Sequence, residues 1–164
     1  MKKIIFFAAI AMIAFTTNAV AQATATGTSS TTVIAPIAIG QDFPLAFGNV
    51  TEDGAGGTIE VSAASTPIIT VTGGATAVDG AVSAGTFTVT GELSQAYTIT
   101  LPSTTTTLTG SGVETIAVSG LNSDIAQGAI GTTGTFYVGG IITLIIDQVP
   151  DTYSGSYDVT VQYL

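Results

Sequence analysis

The sequence contains no cysteine, no histidine and no tryptophan, and its only basic side chains belong to Lys2 and Lys3. The lack of cysteine excludes disulfides, thiolate metal sites and a lipid-anchored cysteine. The lack of histidine excludes a Ser-His-Asp triad. We therefore expect a protein that is not an enzyme and that carries no cofactor.

The first 21 residues have the pattern of a secretory signal peptide. A positively charged start precedes an apolar run over residues 4–15, and a small-x-small tripeptide ends at Ala21. This run is shorter than the roughly 20 residues of a transmembrane helix. We predict that residues 1–21 are removed and that the protein reaches the cell surface or the extracellular space through the periplasm.

Removal of this segment takes away both lysines and leaves eleven acidic side chains without a basic partner. Such a chain cannot neutralise phosphates or anionic lipid head groups, so we exclude nucleic-acid binding and polybasic membrane attachment. A lysine nucleophile is excluded as well. Because side-chain salt bridges cannot form, stability has to come from burial and backbone pairing.

Threonine, valine, isoleucine and glycine dominate the remaining chain, which predicts an all-β fold. Turn signals every 8–12 residues indicate a sandwich or a barrel. We predict a turn at residues 52–57, a strand end at 73–74, and a segment buried on both faces at 141–146. The candidate strands cover residues 32–39, 45–50, 58–63, 67–72, 86–90, 97–101, 112–119, 136–146 and 155–163.

The two ends of the mature chain differ in pattern. Residues 22–31 alternate alanine with polar residues but offer little apolar bulk, so we predict a mobile segment ahead of a β-sandwich domain at 32–164. The C-terminal segment alternates strictly, as a half-buried strand does. Either it closes an ordinary sandwich, or it lies at an open edge that accepts a strand from a neighbour. Its larger apolar residues are Tyr153, Tyr157, Val159, Val161 and Tyr163.

Three parts of the chain carry motifs that resemble those of a known family. The first part contains ATAT at 23–26, VIAPIAI at 33–39 and LAFG at 45–48, and the second contains GTFTVTG at 85–91 and YTITLP at 97–102. The third part contains VGG at 138–140 and YSGSYDVTVQY at 153–163. In this order they resemble a family of exported bacterial proteins of unassigned function, related to spore coat protein U-like domains and to the pilins of archaic chaperone–usher pili. The resemblance implies an immunoglobulin-like β-sandwich, left incomplete and completed by a donor strand.

That resemblance also implies a structural subunit of a surface fibre, such as a pilus or fimbria, which assembles by strand exchange. Its partners would be copies of itself or related subunits, together with a periplasmic chaperone and usher. A secreted or matrix β-sandwich that binds glycans or proteins as a monomer is the alternative. In the fibre, Ala23, Ala25 and Val33 would belong to the donor strand, and Tyr153, Tyr157, Val159, Val161 and Tyr163 would border the acceptor edge.

Carboxylate pairs and tyrosines are the remaining candidates for chemistry. We expect the acids to be solvated turn residues and not a glycosidase pair. The acidic loops lack the alternating ligands of a calcium loop, although calcium binding stays open. Glycan binding by tyrosines stays open too, whereas the missing tryptophan disfavours an outer-membrane barrel. These residues are Glu52 with Asp53, Asp147 with Asp151, and Tyr97, Tyr137 and Tyr153.

Overall fold

The computed structural model describes residues 21–130 and 134–164, and those ranges contain strands, turns and loops but no helix. The prediction of an all-β protein is confirmed. The predicted signal peptide lies outside the described residues, apart from Ala21. The strands are β1 (Ala38–Phe43), β2 (Ala46–Val61), β3 (Ile69–Ser83), β4 (Gly85–Thr90), β5 (Ala96–Thr100), β6 (Thr106–Thr109), β7 (Thr115–Ser123), β8 (Gln127–Ala129), β9 (Gly134–Leu144) and β10 (Thr160–Tyr163).

Strand β9 organises the larger of two antiparallel sheets. One edge of β9 pairs first with β4 and then with β2, while the opposite edge pairs with β7, so that Ile142 lies between Ile59 and Val118. Strands β1, β3 and β6 extend this sheet by pairing with β4, β2 and β7. The smaller sheet has the order β10-β5-β8. Residues 34–164 form one compact unit.

Two clusters of buried side chains hold this unit together. Full burial of a large aliphatic or aromatic side chain contributes about 1.5–3 kcal/mol, so these clusters supply much of the stability. In the second, the rings of Phe87 and Phe136 stack with centroids 5.4 Å apart. The first core cluster is Ile59, Ala75, Ile116, Val118, Ile142 and Leu144, and the second is Phe87, Val89, Tyr97, Ile130, Phe136 and Val138.

The prediction that residues 141–146 are buried on both faces is wrong. Within β9 the buried residues Ile142 and Leu144 flank the exposed Thr143. Ile145 and Ile146 follow the strand and are 62% and 60% exposed. The reason is that this sheet is antiparallel, and such sheets commonly bury only one face.

The predicted turn at residues 52–57 is also wrong, because β2 continues through it as a bulge. The register moves from Glu52 opposite Ala75 to Gly57 opposite Gly73, which leaves extra residues on the β2 side. The Glu52 carboxylate accepts hydrogen bonds from the Gly54 and Gly56 amides at 2.6 and 3.4 Å. The acidic and glycine-rich sequence therefore bends a strand instead of ending it, and β3 likewise continues past Gly73.

Several strand ends differ from the prediction. Strand β1 begins at Ala38 instead of residue 32, and β6 was not predicted at all. Strand β10 is shorter than the predicted 155–163, because only its last residues pair with β5. Residues 21–33 contain no strand, and their side chains are exposed. Whether residues 22–31 are mobile stays a prediction.

Candidate functional site

A cleft of about 590 Å³ lies between two segments that are far apart in the sequence of the compact unit. One wall is residues 44–50, where β2 begins, and the other is residues 151–157, which precede β10. The floor is formed by apolar side chains of β6, β7 and β9, which point to this face because alternate residues of a strand share a face. These floor residues are Leu108, Ile116, Val118 and Ile142.

Both walls of the cleft have backbone that lacks a strand partner on one side. Between Ala46 and Val50, β2 pairs with β3 only, since its pairing with β9 begins at Gly57. In the opposite wall, the described residues pair only at Ser154, which exchanges hydrogen bonds of 2.8 and 3.0 Å with Thr109 of β6. Unpaired strand edges are templates for pairing with another strand.

Two tyrosines of the second wall line the cleft and differ in their hydrogen bonds. The Tyr153 hydroxyl donates to the Val149 carbonyl at 2.6 Å and accepts from Gln148 Nε2 at 2.8 Å. The Tyr157 hydroxyl is buried and has no hydrogen-bond partner among the described residues. Burial raises the pKa of Tyr157 to about 12. A buried hydroxyl without a partner costs about 1–3 kcal/mol.

The acidic groups at the rim of the cleft are engaged in holding loops. Asp151 accepts hydrogen bonds from the Ser111 hydroxyl, the Ser111 amide and the Thr152 amide, which lower the pKa of its carboxyl in that order of importance. Near the other wall, Asn49 Nδ2 donates to Asp79 Oδ1 at 2.6 Å. In the described part of the chain, no three acidic side chains form a group that could hold a metal ion. The floor itself is uncharged.

The C-terminal residues predicted to form an acceptor edge fall into two sets. Tyr153 and Tyr157 line the cleft. Val159, Val161 and Tyr163 pack against the second core cluster. All five are half-buried, and the residues between them are exposed. Strand β10 ends the order β10-β5-β8, which makes it an edge strand of the smaller sheet and fits both of our interpretations.

Residues 37–163 match the DUF4402 family, which is described as a domain of unknown function. The chain belongs to this family. The matched range of the DUF4402 domain contains the cleft and ends with the last residue of β10. No curated protein and no solved structure is significantly similar to the chain. In the ranges that the structure describes, no helix is long and apolar enough to cross a membrane.

The remaining predicted residues of the DUF4402 protein are spread over the fold. Ala23, Ala25 and Val33 lie in residues 21–33, and their donor role stays a prediction. Tyr97 is only 1% exposed, so its ring is not available to a sugar. Tyr137 lines a second, smaller pocket of about 280 Å³, away from the cleft.

Sequence reasoning missed Leu108, which forms part of the cleft floor. It stands in a run of threonines, and β6 is too short for its alternation to be recognised as a strand. The available signal was the apolar Leu108 between Thr107 and Thr109, which is a weak indication of a single inward-pointing residue.

Replacing Tyr157 by phenylalanine should make the DUF4402 domain more resistant to alkali. The hydroxyl ionises near pH 10 in the unfolded chain but near 12 in the fold, so the contribution of Tyr157 to folding stability is constant below pH 10 and falls between 10 and 12. Tyr157→Phe removes this loss, and near pH 7 it should leave stability equal or up to about 1 kcal/mol higher. Urea unfolding at pH 7 and pH 11 tests this expectation. Equal pH dependence of the two proteins would contradict it.

Proposed function

We propose that this protein is a non-catalytic structural subunit of a bacterial surface fibre that assembles by strand exchange. The cleft is the acceptor, and the donor is the N-terminal segment of a second copy or of a related subunit. The fold is then an immunoglobulin-like β-sandwich left incomplete between residues 44–50 and 151–157. A periplasmic chaperone would occupy the cleft before an usher hands the subunit to the growing fibre at the cell surface.

The observation that carries this proposal is the combination of an apolar floor with two walls whose backbone lacks strand partners. A strand laid in the cleft would hydrogen-bond to both walls and place alternate side chains on the floor. A sugar satisfies this site less well, because an uncharged aliphatic floor gives its hydroxyls no partners.

The length of the donor suits the cleft. At about 3.3 Å per residue, residues 22–30 reach about 30 Å when extended. The wall formed by residues 44–50 is shorter than this, at about 23 Å by the same measure. Small side chains such as Ala23 and Ala25 add little apolar area, at about 25 cal/mol per Å², so a donor that continues to Val33 would gain more than one that stops at residue 30.

Deletion of residues 22–30 should abolish multimers larger than a dimer while export continues, because the donor is removed and the signal segment is kept. Native gels of material sheared from the cell surface measure the multimers, and immunoblots of the medium and periplasm measure export. As a matched control, Thr24→Ser with Thr26→Ser changes only the polar side of the segment and should leave the ladder intact. Multimers larger than a dimer that persist after the deletion would contradict the proposal. A parent chain that forms no such multimers would favour the monomeric glycan- or protein-binding alternative.

A further inference from the structure

Strand β3 forms one end of the larger sheet, and its first part presents an uncharged, apolar edge. Its outer side pairs with no strand in the described part of the chain. Ile69 and Val71 are each 38% exposed although they share a face with the fully buried Ile59 and Val61. Glu60 and Asp79 are the acids nearest in sequence on either side. An edge without charge or proline is unprotected against pairing.

The alternation of hydrogen bonds between β2 and β3 shows which backbone groups of β3 point away from the sheet. The Ser62 amide donates to the Ile68 carbonyl at 3.0 Å, across the turn that joins β2 to β3. Inward and outward bonding alternate along an antiparallel strand, so Thr70 also bonds to β2. Ile69 and Val71 therefore direct their N–H and C=O groups away from the sheet.

We propose that this edge pairs with the same edge of a second copy, antiparallel and with a two-fold axis at Thr70. Ile69 then faces Val71 of the other copy, and Val71 faces its Ile69, so that all four exchange backbone hydrogen bonds. A two-fold interface has to be self-complementary, and this register achieves that with apolar pairs on one face and Thr70 against Thr70 on the other.

The negative charge of the chain does not prevent this pairing. The nearest acid, Glu60, is the β2 partner of Thr70. In the paired sheet the two Glu60 residues are separated by three strand spacings of about 4.8 Å, or about 14 Å. This exceeds the screening length of about 8 Å at physiological salt. The pairing is separate from the cleft, so it gives the protein a lateral contact that does not depend on strand exchange.

The cysteine-free chain permits a direct test with single cysteines. Under the two-fold, the Thr70 Cα atoms of the two copies lie about 4.5–5.5 Å apart, within the range of about 4.4–6.8 Å that a disulfide needs. In the same register each Thr72 faces Ile68 of the other copy, so the two Thr72 Cα atoms are offset by four residues along the strands and lie about 14 Å apart. Mild oxidation of purified Thr70→Cys should therefore give at least about 10-fold more disulfide dimer than Thr72→Cys on non-reducing gels. Equal dimer yields, or more from Thr72→Cys, would overturn the proposal.

A charge pair tests the same register without oxidation. Thr70→Asp places two carboxylates opposite each other across the axis, whereas Thr72→Asp adds the same charge opposite Ile68. Sedimentation equilibrium should show dimer dissociation at least about 10-fold stronger for Thr70→Asp than for Thr72→Asp, with thermal unfolding confirming that both fold. Deleting residues 22–30 should leave this dimer unchanged, which separates its failure from a failure of strand exchange. A wild-type chain that stays monomeric at every concentration would also overturn the proposal.

Discussion

Replacing Leu108 by aspartate is expected to weaken strand-linked multimers at least about 100-fold. Leu108 lines the cleft floor and is half-buried, so a carboxylate there can reach water while the cleft is open. A strand that closes the cleft would bury this charge, which costs several kcal/mol without a partner. Residues 22–164 contain no basic side chain, so this part of a second copy cannot supply one. Each 1.4 kcal/mol is a tenfold loss of affinity.

Two variants control for effects of this change on the fold. Leu108→Asn has nearly the same shape without the charge, so it should lose less assembly at an equal cost to thermal stability. Leu93→Asp adds the same charge at a side chain that is 67% exposed and outside the cleft, and it should assemble as the parent does. Native gels and thermal unfolding measure both quantities. A folded Leu108→Asp protein that still forms the full ladder would contradict the cleft as acceptor.

The sequence predicted those parts of the fold in which alternation and local turn chemistry agree. Strands β4 and β5 lie within one residue of their predicted positions, because Phe87, Val89 and Tyr97 alternate with threonines and are bounded by glycine or short polar loops. The alternation of Tyr157 to Tyr163 also appears as alternating burial. These patterns depend only on which face of a strand meets the core.

Other features depend on contacts between distant segments, which one sequence does not display. The acidic segment at Glu52 has the composition of a turn, but pairing with β3 both before and after it turns it into a bulge. The cleft joins residues 44–50 to 151–157, and nothing in either segment alone indicates the other. Leu108 is identified as part of a site only once β6 pairs with β7. The sequence indicates which segments form strands, but it does not indicate which strand each of them pairs with.

Replacing Gly139 by alanine is expected to destabilise the fold by about 3 kcal/mol or more. Gly139 lies in β9 where the partner on one edge changes from β4 to β2. A Cβ atom there would collide with the Val61 carbonyl oxygen and the Ala63 amide nitrogen, which belong to the backbone and cannot rotate away. Overpacking usually costs about 1–3 kcal/mol, and a backbone collision lies at or beyond the upper end. The melting temperature should fall by about 10 °C.

Two further glycines turn this prediction into a graded series. The Cβ of Gly140→Ala would meet the end of the Leu121 side chain at 3.0 Å, which can move, so its loss should be smaller. Gly40→Ala in β1 meets nothing within 4 Å and should change stability by less than about 0.5 kcal/mol. Thermal unfolding of the three variants should give the order Gly139, Gly140, Gly40 from largest to smallest loss. Equal losses at Gly139 and Gly40 would mean that the crossing of Val61–Ala63 over β9 is not what requires glycine there.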